Sequence, residues 1–325
     1  CSATRKIPSR VFRLSKSITQ LQDLIKLWSF ARSISADLLY VNQYPDLPVP
    51  ALLSSLTGIP LVCHLRLPAP HYLSRQYRWG LNQCNRLIAI SNHTGKTYSS
   101  QGIDSSKILV LYNAIDTAEF KPKSSISFGS DKNSTVKNIL YLGRLCPPKG
   151  IEVLIDAAKM LLSSEDTSYT FKIVGNVRGA GVDASYMDQL EEKSKPYLNN
   201  GIYFLGHRKT IIPLLQTSDL VVVPSVWEEP FGRVIIEAMA CGIPVVASDT
   251  GGITEILKPH FSGMLVSPGD AEALADKIKN WAGRHKEDAE FSKHLRNEVK
   301  ARFALRDYIP KISAIFEDTI NAKKS

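Results

Sequence analysis

Two basic side chains stand at a turn that could bind an anion. Residues 143–150 read Gly-Arg-Leu-Cys-Pro-Pro-Lys-Gly, between an apolar run that predicts a strand and a pattern that predicts a helix. In a doubly wound sheet, ligands bind beyond the carboxyl ends of the strands, and a helix start offers free N–H groups. Arg144 would add a planar fork and Lys149 a mobile point charge, which together suit a diphosphate. Taken alone, the segment fits an ordinary exposed turn equally well.

Two glutamates form a second candidate cluster. Glu229 lies in a predicted loop, and Glu237 lies eight residues later in the second turn of the helix predicted over 233–240. Both could face one cleft, where carboxylates accept hydrogen bonds from the paired hydroxyls of a ribose or a hexose. The backbone N–H groups of Phe231 and Gly232 could meet a phosphate or sugar oxygen at the helix start. A solvated helix position is the alternative for Glu237, but its apolar neighbours would make an idle carboxylate costly.

A glycine pair supplies a third and weaker signal. Gly251 and Gly252 follow an apolar run and open a short predicted helix. Such a turn exposes backbone N–H groups that can bind phosphate. Because turns of this kind are common, the pair by itself is weak evidence.

The elements that must position these side chains alternate between short apolar runs and helical patterns. Strands that read as continuous apolar runs are buried on both faces, as in parallel sheets covered by helices. The alternation therefore predicts an α/β protein with doubly wound parallel sheets. Strands are predicted at 37–42, 60–64, 86–91, 107–112, 138–142, 170–175, 202–205, 220–224, 244–248 and 263–266. From about Lys286 onward the sequence predicts helix throughout, as far as Asn321.

Length and composition predict two domains. The chain has 325 residues, of which 44% are hydrophobic and 22% charged, and these values exclude disordered and collagen-like chains. A polar stretch rich in Ser and Lys interrupts the alternation and cannot bury a core. We therefore predict a first domain over 1–118, a linker over 119–137, a second domain over 138–303 and a C-terminal helix over 304–325 that could cross back to the first domain.

The net charge of +9 is unevenly distributed. Residues 1–118 carry 13 basic and 5 acidic side chains, and the remainder is nearly neutral. A basic domain suggests an anionic partner. Residues 10–28 form a basic amphipathic pattern, which could lie on an anionic membrane face or pack on the sheet as a core stripe. Nucleic acid is not expected as a partner, because the sequence has no nucleic-acid-binding motif.

The five cysteines indicate a reducing compartment. They are far apart, and they include neither a C-x-x-C pair nor a metal-ligand spacing. The sequence has no signal-peptide pattern and no run of about 18 apolar residues. These features predict a cytoplasmic protein, with peripheral association at the membrane left open. Because the chain begins at Cys1, we expect that its natural start lies upstream.

The ordered motifs resemble a known enzyme family. Segments 143–150 and 224–257 are similar to the retaining glycosyltransferases of family 4, which have the GT-B fold, and the resemblance covers most of 138–268. Glu229 and Glu237 match the family's E-x7-E motif, and an Arg/Lys pair matches its diphosphate-binding residues. In the first domain the resemblance is weaker: residues 112–116 are similar to the family's hinge entry, with Ala114 where Gly is usual, and His64 matches an active-site histidine.

The resemblance implies a role for each candidate residue. Donor binding would fall to the loop that begins at Gly143, with Arg144 and Lys149 neutralising the diphosphate. Glu237 would hold the ribose, while Glu229 and the backbone of Phe231 and Gly232 would hold the transferred sugar. The residues implied to flank the base are Gly175, Leu205 and His207, with Arg208 beside them. For His64, a site role and a structural role both stay open.

The function implied is transfer of a hexose from a nucleotide-diphosphate sugar to a carbohydrate or lipid-linked acceptor, with retention of configuration. No cofactor besides the donor is implied and no metal site is expected, because the sequence contains no D-x-D motif. Two alternatives stay open: a catalytically incomplete chain that binds nucleotide sugar, and a GT-B nucleotide-sugar epimerase. The resemblance implies two Rossmann-like domains facing a cleft, the first shortened at its N-terminus, since the first predicted strand resembles a later family strand.

Overall fold

The chain divides into two compact units. A computed structural model describes residues 22–123, 136–164, 168–177, 182–183 and 185–324. The first unit comprises Cys1–Leu111 with Pro310–Ser325, and the second comprises Tyr112–Ile309. The basic pattern predicted over 10–28 lies mostly outside the described residues, as does much of the predicted linker.

The first unit contains a parallel sheet of four strands that pair in chain order. All five residues of its second strand are buried, as the continuous apolar run predicts. Serine side chains cap two of the helices: Ser74 accepts from the N–H of Tyr77, and Ser91 from that of Thr94. The elements are α1 (22–33), β1 (Leu39–Val41), α2 (Pro48–Thr57), β2 (Leu61–Leu65), α3 (Arg75–Gln83), β3 (Arg86–Ala89), α4 (Asn92–Ser99) and β4 (Ile108–Val110).

The second unit contains a parallel sheet of six strands. They are β5 (Val136–Leu142), β6 (Ser168–Val174), β7 (Ile202–Gly206), β8 (Leu220–Val223), β9 (Val245–Ser248) and β10 (Leu265–Val266). Their order across the sheet is β10-β9-β8-β5-β6-β7. The order therefore reverses between β5 and β8, which are hydrogen-bonded neighbours. This reversal is the topological switch point of a doubly wound sheet, so the predicted α/β architecture is confirmed.

Helices cover this second sheet. They are α5 (Ile151–Leu162), α6 (Ser185–Ser194), α7 (Ile212–Gln216), α8 (Arg233–Ala240), α9 (Gly251–Phe261), α10 (Ala271–Trp281), α11 (Arg284–Glu287) and α12 (Ala289–Arg302). The last helix, α13 (Leu305–Lys324), belongs for most of its length to the first unit. Six consecutive residues of α8, from Ile235 to Ala240, are buried. Among the described residues, no helix combines the length and apolar character needed to cross a bilayer.

The C-terminal region is more divided than the sequence predicts. The uninterrupted helix expected from Lys286 is broken at Asp288, whose side chain caps α12 by accepting from the N–H of Phe291. It breaks again before α13, where Ala304 forms an isolated parallel bridge with Ile115. Local capping and long-range pairing compete with helix propensity at these two points.

Arg296 of α12 forms hydrogen bonds both with the first residues of the second unit and with the end of α8. Its guanidinium donates to the carbonyl oxygens of Thr117 and Phe120, at 2.9 Å each, and to that of Ala240 at the end of α8. In the first unit, the ring of Phe316 on α13 packs edge-on against Tyr40 of β1, with 5.3 Å between ring centroids.

Candidate active site

The candidate site is built on the loops that leave β5 and β8, the two strands at the switch point. Gly150 ends the β5 loop with a left-handed φ of 67°, and a Cβ there would overlap the carbonyl oxygen of Pro224 in the β8 loop. The N–H of Val226 also donates to the carbonyl of Pro148 at 3.0 Å. Glycine is therefore required at position 150, because the two loops touch backbone to backbone.

Lys149 and Glu229 meet where these loops touch. Lys149 ends a single 3-10 turn over Pro147–Lys149, and its Nζ forms an ion pair with Oε1 of Glu229. The hydroxyl of Ser225 donates to the same carboxylate oxygen at 2.6 Å. The ring of Trp227 lies 5.9 Å from Nζ. Because Glu229 is only 5% exposed, these partners offset the cost of burying its charge.

Glu237 is buried as well, so the solvated alternative considered from the sequence is wrong. It is 5% exposed on α8, and its Oε1 lies 2.8 Å from Nε of Arg233, one turn earlier. Burial raises the pKa of the Glu237 carboxyl, and the Arg233 charge counters part of that effect. A buried carboxylate with a single exposed partner retains acceptor capacity for a ligand.

The glycine pair Gly251-Gly252 has a different role from the one its sequence suggests. The N–H of Gly252 donates to the carbonyl of Glu229 at 2.7 Å, so it is already occupied. A Cβ on either glycine would overlap the backbone of residues 229–230. The pair therefore lets α9 pack directly under the loop that carries Glu229, and the Gly252 N–H is not available to a phosphate.

Phe231 and Gly232 lie between the two glutamates. The Phe231 ring is buried against Tyr112 and Phe303, with ring centroids 6.0 and 5.6 Å away. Gly232 has a φ of 98° and immediately precedes α8. The Phe231 side chain is therefore used for packing. A ligand at this loop would contact the backbone of Phe231 and Gly232.

A pocket of about 620 Å³ opens at the ends of β5, β6 and β7. Its residues are Leu142, Gly143, Arg144, Val174, Gly175, Asn176, His207, Arg208, Ile211 and Val234. The charged side chains among them, Arg144 and Arg208, are both basic, so the pocket attracts anions. Five predicted residues therefore meet at one pocket: Gly143, Arg144, Gly175, His207 and Arg208. Leu205 lies within β7 and is not one of the lining residues.

Backbone contacts fix the shape of this pocket. A Cβ on Gly175 would overlap the carbonyl oxygen of Gly143, and the Gly175 N–H donates to Gly206 at 3.0 Å. The side-chain oxygen of Asn176 accepts from the N–H of His207 at 3.0 Å. Asn176 was missed by the sequence analysis, although its place directly after a strand end was a usable signal.

His64 belongs to the first unit. It is fully buried on β2, and its Nδ1 lies 2.6 Å from the hydroxyl oxygen of Tyr40. Its Nε2 is buried without a partner among the described residues. Burial lowers the pKa of His64 to about 4, and the nearby charge of Arg66 acts in the same direction. The imidazole is therefore neutral at pH 7.

Metal-ligating side chains do not cluster in the described part of the chain. No group of three or more His, Cys, Asp or Glu residues there is placed to hold a metal ion. The four described cysteines, Cys63, Cys84, Cys146 and Cys241, are buried free thiols.

Comparison with known proteins identifies the family. The family described as glycosyl transferases group 1 matches residues 122–298, and glycosyltransferase family 4 matches residues 3–119. An uncharacterized glycosyltransferase of Methanocaldococcus jannaschii is 33% identical over 228 residues, which are 67% of this chain and 54% of that protein. The chain thus spans about half of that relative.

Two further proteins match over most of their length. An Escherichia coli UDP-Gal:α-D-GlcNAc-diphosphoundecaprenol α-1,3-galactosyltransferase is 24% identical, over 93% of this chain and 81% of that protein. The crystal structure of Anabaena HepE with UDP-glucose superposes with a TM-score of 0.77 at 28% identity, covering 91% of this chain and 82% of HepE. Together with the two parallel α/β sheets, these matches show that the chain belongs to the group 1 glycosyltransferases and has the GT-B fold.

Proposed function

We propose that this chain transfers a hexose from a nucleoside-diphosphate sugar to a carbohydrate or lipid-linked acceptor, with retention of configuration. The observation that carries the proposal is the switch-point arrangement: a basic pocket adjoins two buried carboxylates, Glu229 in the loop after β8 and Glu237 on α8. A nucleoside-diphosphate sugar presents the matching groups, which are two phosphates and paired hydroxyls on a ribose and a hexose.

The departing diphosphate is the group that most needs stabilisation. Arg144 is exposed at the pocket and offers a planar fork, while the Lys149 ammonium has three N–H donors. One donor can remain on Glu229 while others meet phosphate oxygens. Fixed positive charge at the leaving group stabilises the transition state without a further cofactor.

The carboxylates orient the sugars in this scheme. Glu229, held by Lys149 and Ser225, accepts from hydroxyls of the transferred hexose, beside the backbone of Phe231 and Gly232. Glu237 accepts from the ribose hydroxyls. The base lies against Gly175, His207 and Arg208, and His64 of the first unit donates to an oxygen of the substrate.

The relatives support the substrate classes. HepE was crystallised with UDP-glucose, and the Escherichia coli enzyme is a galactosyltransferase that uses UDP-Gal and a diphosphoundecaprenol-linked acceptor. A lipid-linked acceptor would also agree with a basic first domain that associates peripherally with an anionic membrane face.

Thermal unfolding with UDP, GDP, ADP and UDP-glucose tests the donor site. We expect one nucleotide class to raise the midpoint, since saturation to 100 times Kd stabilises by about 2.7 kcal/mol. K149A should weaken binding of UDP-glucose about tenfold or more, because it removes a charge-assisted contact. The control is K195A, since Lys195 is a surface residue with 71% of its side chain exposed.

The outcomes separate the possible functions. Equal binding by K149A and the wild type would disprove the diphosphate role of Lys149. Binding without release of UDP would favour a catalytically incomplete chain, and a new free nucleotide sugar would indicate an epimerase. Retention is tested by the anomeric coupling constant of the glycoside formed.

A further inference from the structure

Tyr40 and His64 lie on one face of the first sheet. Tyr40 of β1 pairs in register with Val62 of β2, and His64 is two residues beyond Val62. Because side chains alternate along a strand, Tyr40, Val62 and His64 project to the same side. Their contact is close: the Tyr40 hydroxyl oxygen lies 2.6 Å from Nδ1 of His64.

The direction of this hydrogen bond follows from the competing acceptor. Arg66 also forms a side-chain hydrogen bond with Tyr40, and because a guanidinium can only donate, the Tyr40 oxygen accepts there. A second acceptor near the hydroxyl is Oδ1 of Asn42, at 3.4 Å, which is beyond normal O–H···O distances. That oxygen already accepts from Nε of Arg66 at 2.7 Å. The Tyr40 proton is therefore directed to the nearer acceptor, Nδ1 of His64.

A neutral imidazole has one N–H and one bare nitrogen. If Nδ1 accepts from Tyr40, the ring proton must reside on Nε2. That nitrogen is fully buried and has no partner among the described residues. A buried N–H group without an acceptor is energetically unfavourable. An unpaired Nε2–H on His64 therefore indicates that an oxygen atom of a ligand accepts this hydrogen bond.

We propose that Tyr40 is a positioning residue that holds His64 in the Nε2–H tautomer, so that the imidazole meets the substrate as a hydrogen-bond donor. The proposal rests on the proposed function for the identity of that substrate. Tyr40 acts through His64 and itself needs no contact with the substrate. Its ring is held independently by Phe316, so the hydroxyl can be removed without losing the packing.

The first experiment reads the tautomer directly and needs no substrate. Long-range ¹H–¹⁵N spectra of histidine-labelled protein at pH 7, with His64 assigned by its loss in H64Q, should show a bare Nδ1 and a protonated Nε2. In Y40F the Nδ1–H form should become populated. A wild-type ring protonated on Nδ1, or a spectrum unchanged in Y40F, would overturn the proposal.

The second experiment is a double-mutant cycle on UDP release from UDP-glucose. We expect Y40F to lower kcat/KM about tenfold, as for loss of one well-placed hydrogen bond. In the H64A background the same change should have less than about a twofold effect, because residues that act as a unit are not additive. Full additivity would assign Tyr40 a merely structural role and refute the proposal.

Two controls keep the cycle interpretable. Y72F removes a hydroxyl from a tyrosine that is 74% exposed in the same unit, and it should leave kcat/KM unchanged. The affinity of Y40F for UDP should match that of the wild type, and its loss would indicate general damage and count against the proposal. If the wild type releases no UDP, the proposed function fails at this donor, while the tautomer spectra still decide the role of Tyr40.

Discussion

In the proposed site, the Lys149 ammonium interacts with two anionic groups, the Glu229 carboxylate and the diphosphate of the donor. Its Nζ forms an ion pair with Glu229, and that carboxylate also accepts from the hydroxyl of Ser225. A diphosphate therefore has to share the ammonium with Glu229. This pairing keeps both charges in place and partly desolvated, and the donor site needs little reorganisation when the substrate arrives.

Glu237 gives a prediction in which stability and function oppose each other. Its pKa is raised chiefly by burial, so the folded protein binds the proton more tightly than the unfolded chain does. The free energy of unfolding therefore falls as pH rises from about 4.5 through the raised pKa, and the loss persists at neutral pH. We expect E237Q to be more stable than the wild type at pH 7 and to bind the donor more weakly.

Urea unfolding at pH 7 and pH 4 checks this expectation. The advantage of E237Q should shrink at pH 4, where the wild-type carboxyl is largely protonated. E290Q is the matched control, because the Glu290 side chain is 82% exposed, and it should show no comparable gain. A less stable E237Q at pH 7 would mean that the ion pair with Arg233 outweighs burial.

At the scale of elements, the site depends on loops that pack backbone against backbone. Gly150 brings the loop after β5 onto the loop after β8, and Gly251 and Gly252 bring α9 under the latter. None of these glycines need touch a ligand. They set the distance between Lys149 and Glu229, and a methyl group at any of them would separate the elements that the site requires.

Two glycine-to-alanine variants distinguish close packing from backbone strain. Gly150 and Gly269 both have left-handed φ, 67° and 83°, but only at Gly150 would a Cβ meet neighbouring atoms. G269A should cost about 1–2 kcal/mol from the left-handed backbone alone. G150A should cost clearly more in urea unfolding and should abolish donor binding. Equal losses in both variants would show that the loop contact is unimportant.

The sequence predicts elements better than it predicts contacts. Apolar runs such as 220–224 identify parallel strands because burial on both faces leaves a direct mark on composition. Arg144 and Lys149 could also be named as candidates, because they stand in a turn between a predicted strand and a predicted helix. That segment alone fits an ordinary exposed turn equally well, and the family resemblance supplied the role. The roles of Gly251 and Gly252 could not be predicted. A glycine in the sequence indicates a close approach at that position, but it does not identify the group that approaches. The Asp288 cap was a readable signal that helix periodicity obscured.

At the scale of the whole molecule, two buried histidines should make the fold sensitive to acid. Burial lowers the pKa of both His64 and His285 from 6.5 to about 4. Between these values the unfolded chain takes up protons that the folded protein does not. Stability should therefore be lost as pH falls from 6.5 to 4, by about 3 kcal/mol for each residue.

His285 allows this contribution to be measured away from the candidate site. H285Q should lose less stability between pH 7 and pH 4.5 than the wild type does, because one of the two proton uptakes is removed. The quantity compared is the change in the free energy of unfolding with pH, since the substitution can alter packing at both pH values. H71Q, at an exposed histidine of the first unit, is the control for the loss of a histidine as such.

The contacts of Arg296 have a consequence for the living cell. During synthesis, the carbonyl groups of Thr117 and Phe120 can form these hydrogen bonds only after Arg296 has been added, 176 to 179 residues later. At roughly 5–20 residues per second, translation needs on the order of ten to thirty seconds to supply it. Phe316, which covers Tyr40, is made later still. Until then the two carbonyls lack their native donor and Tyr40 lacks its aromatic neighbour, so we expect both units to complete their packing only late in synthesis.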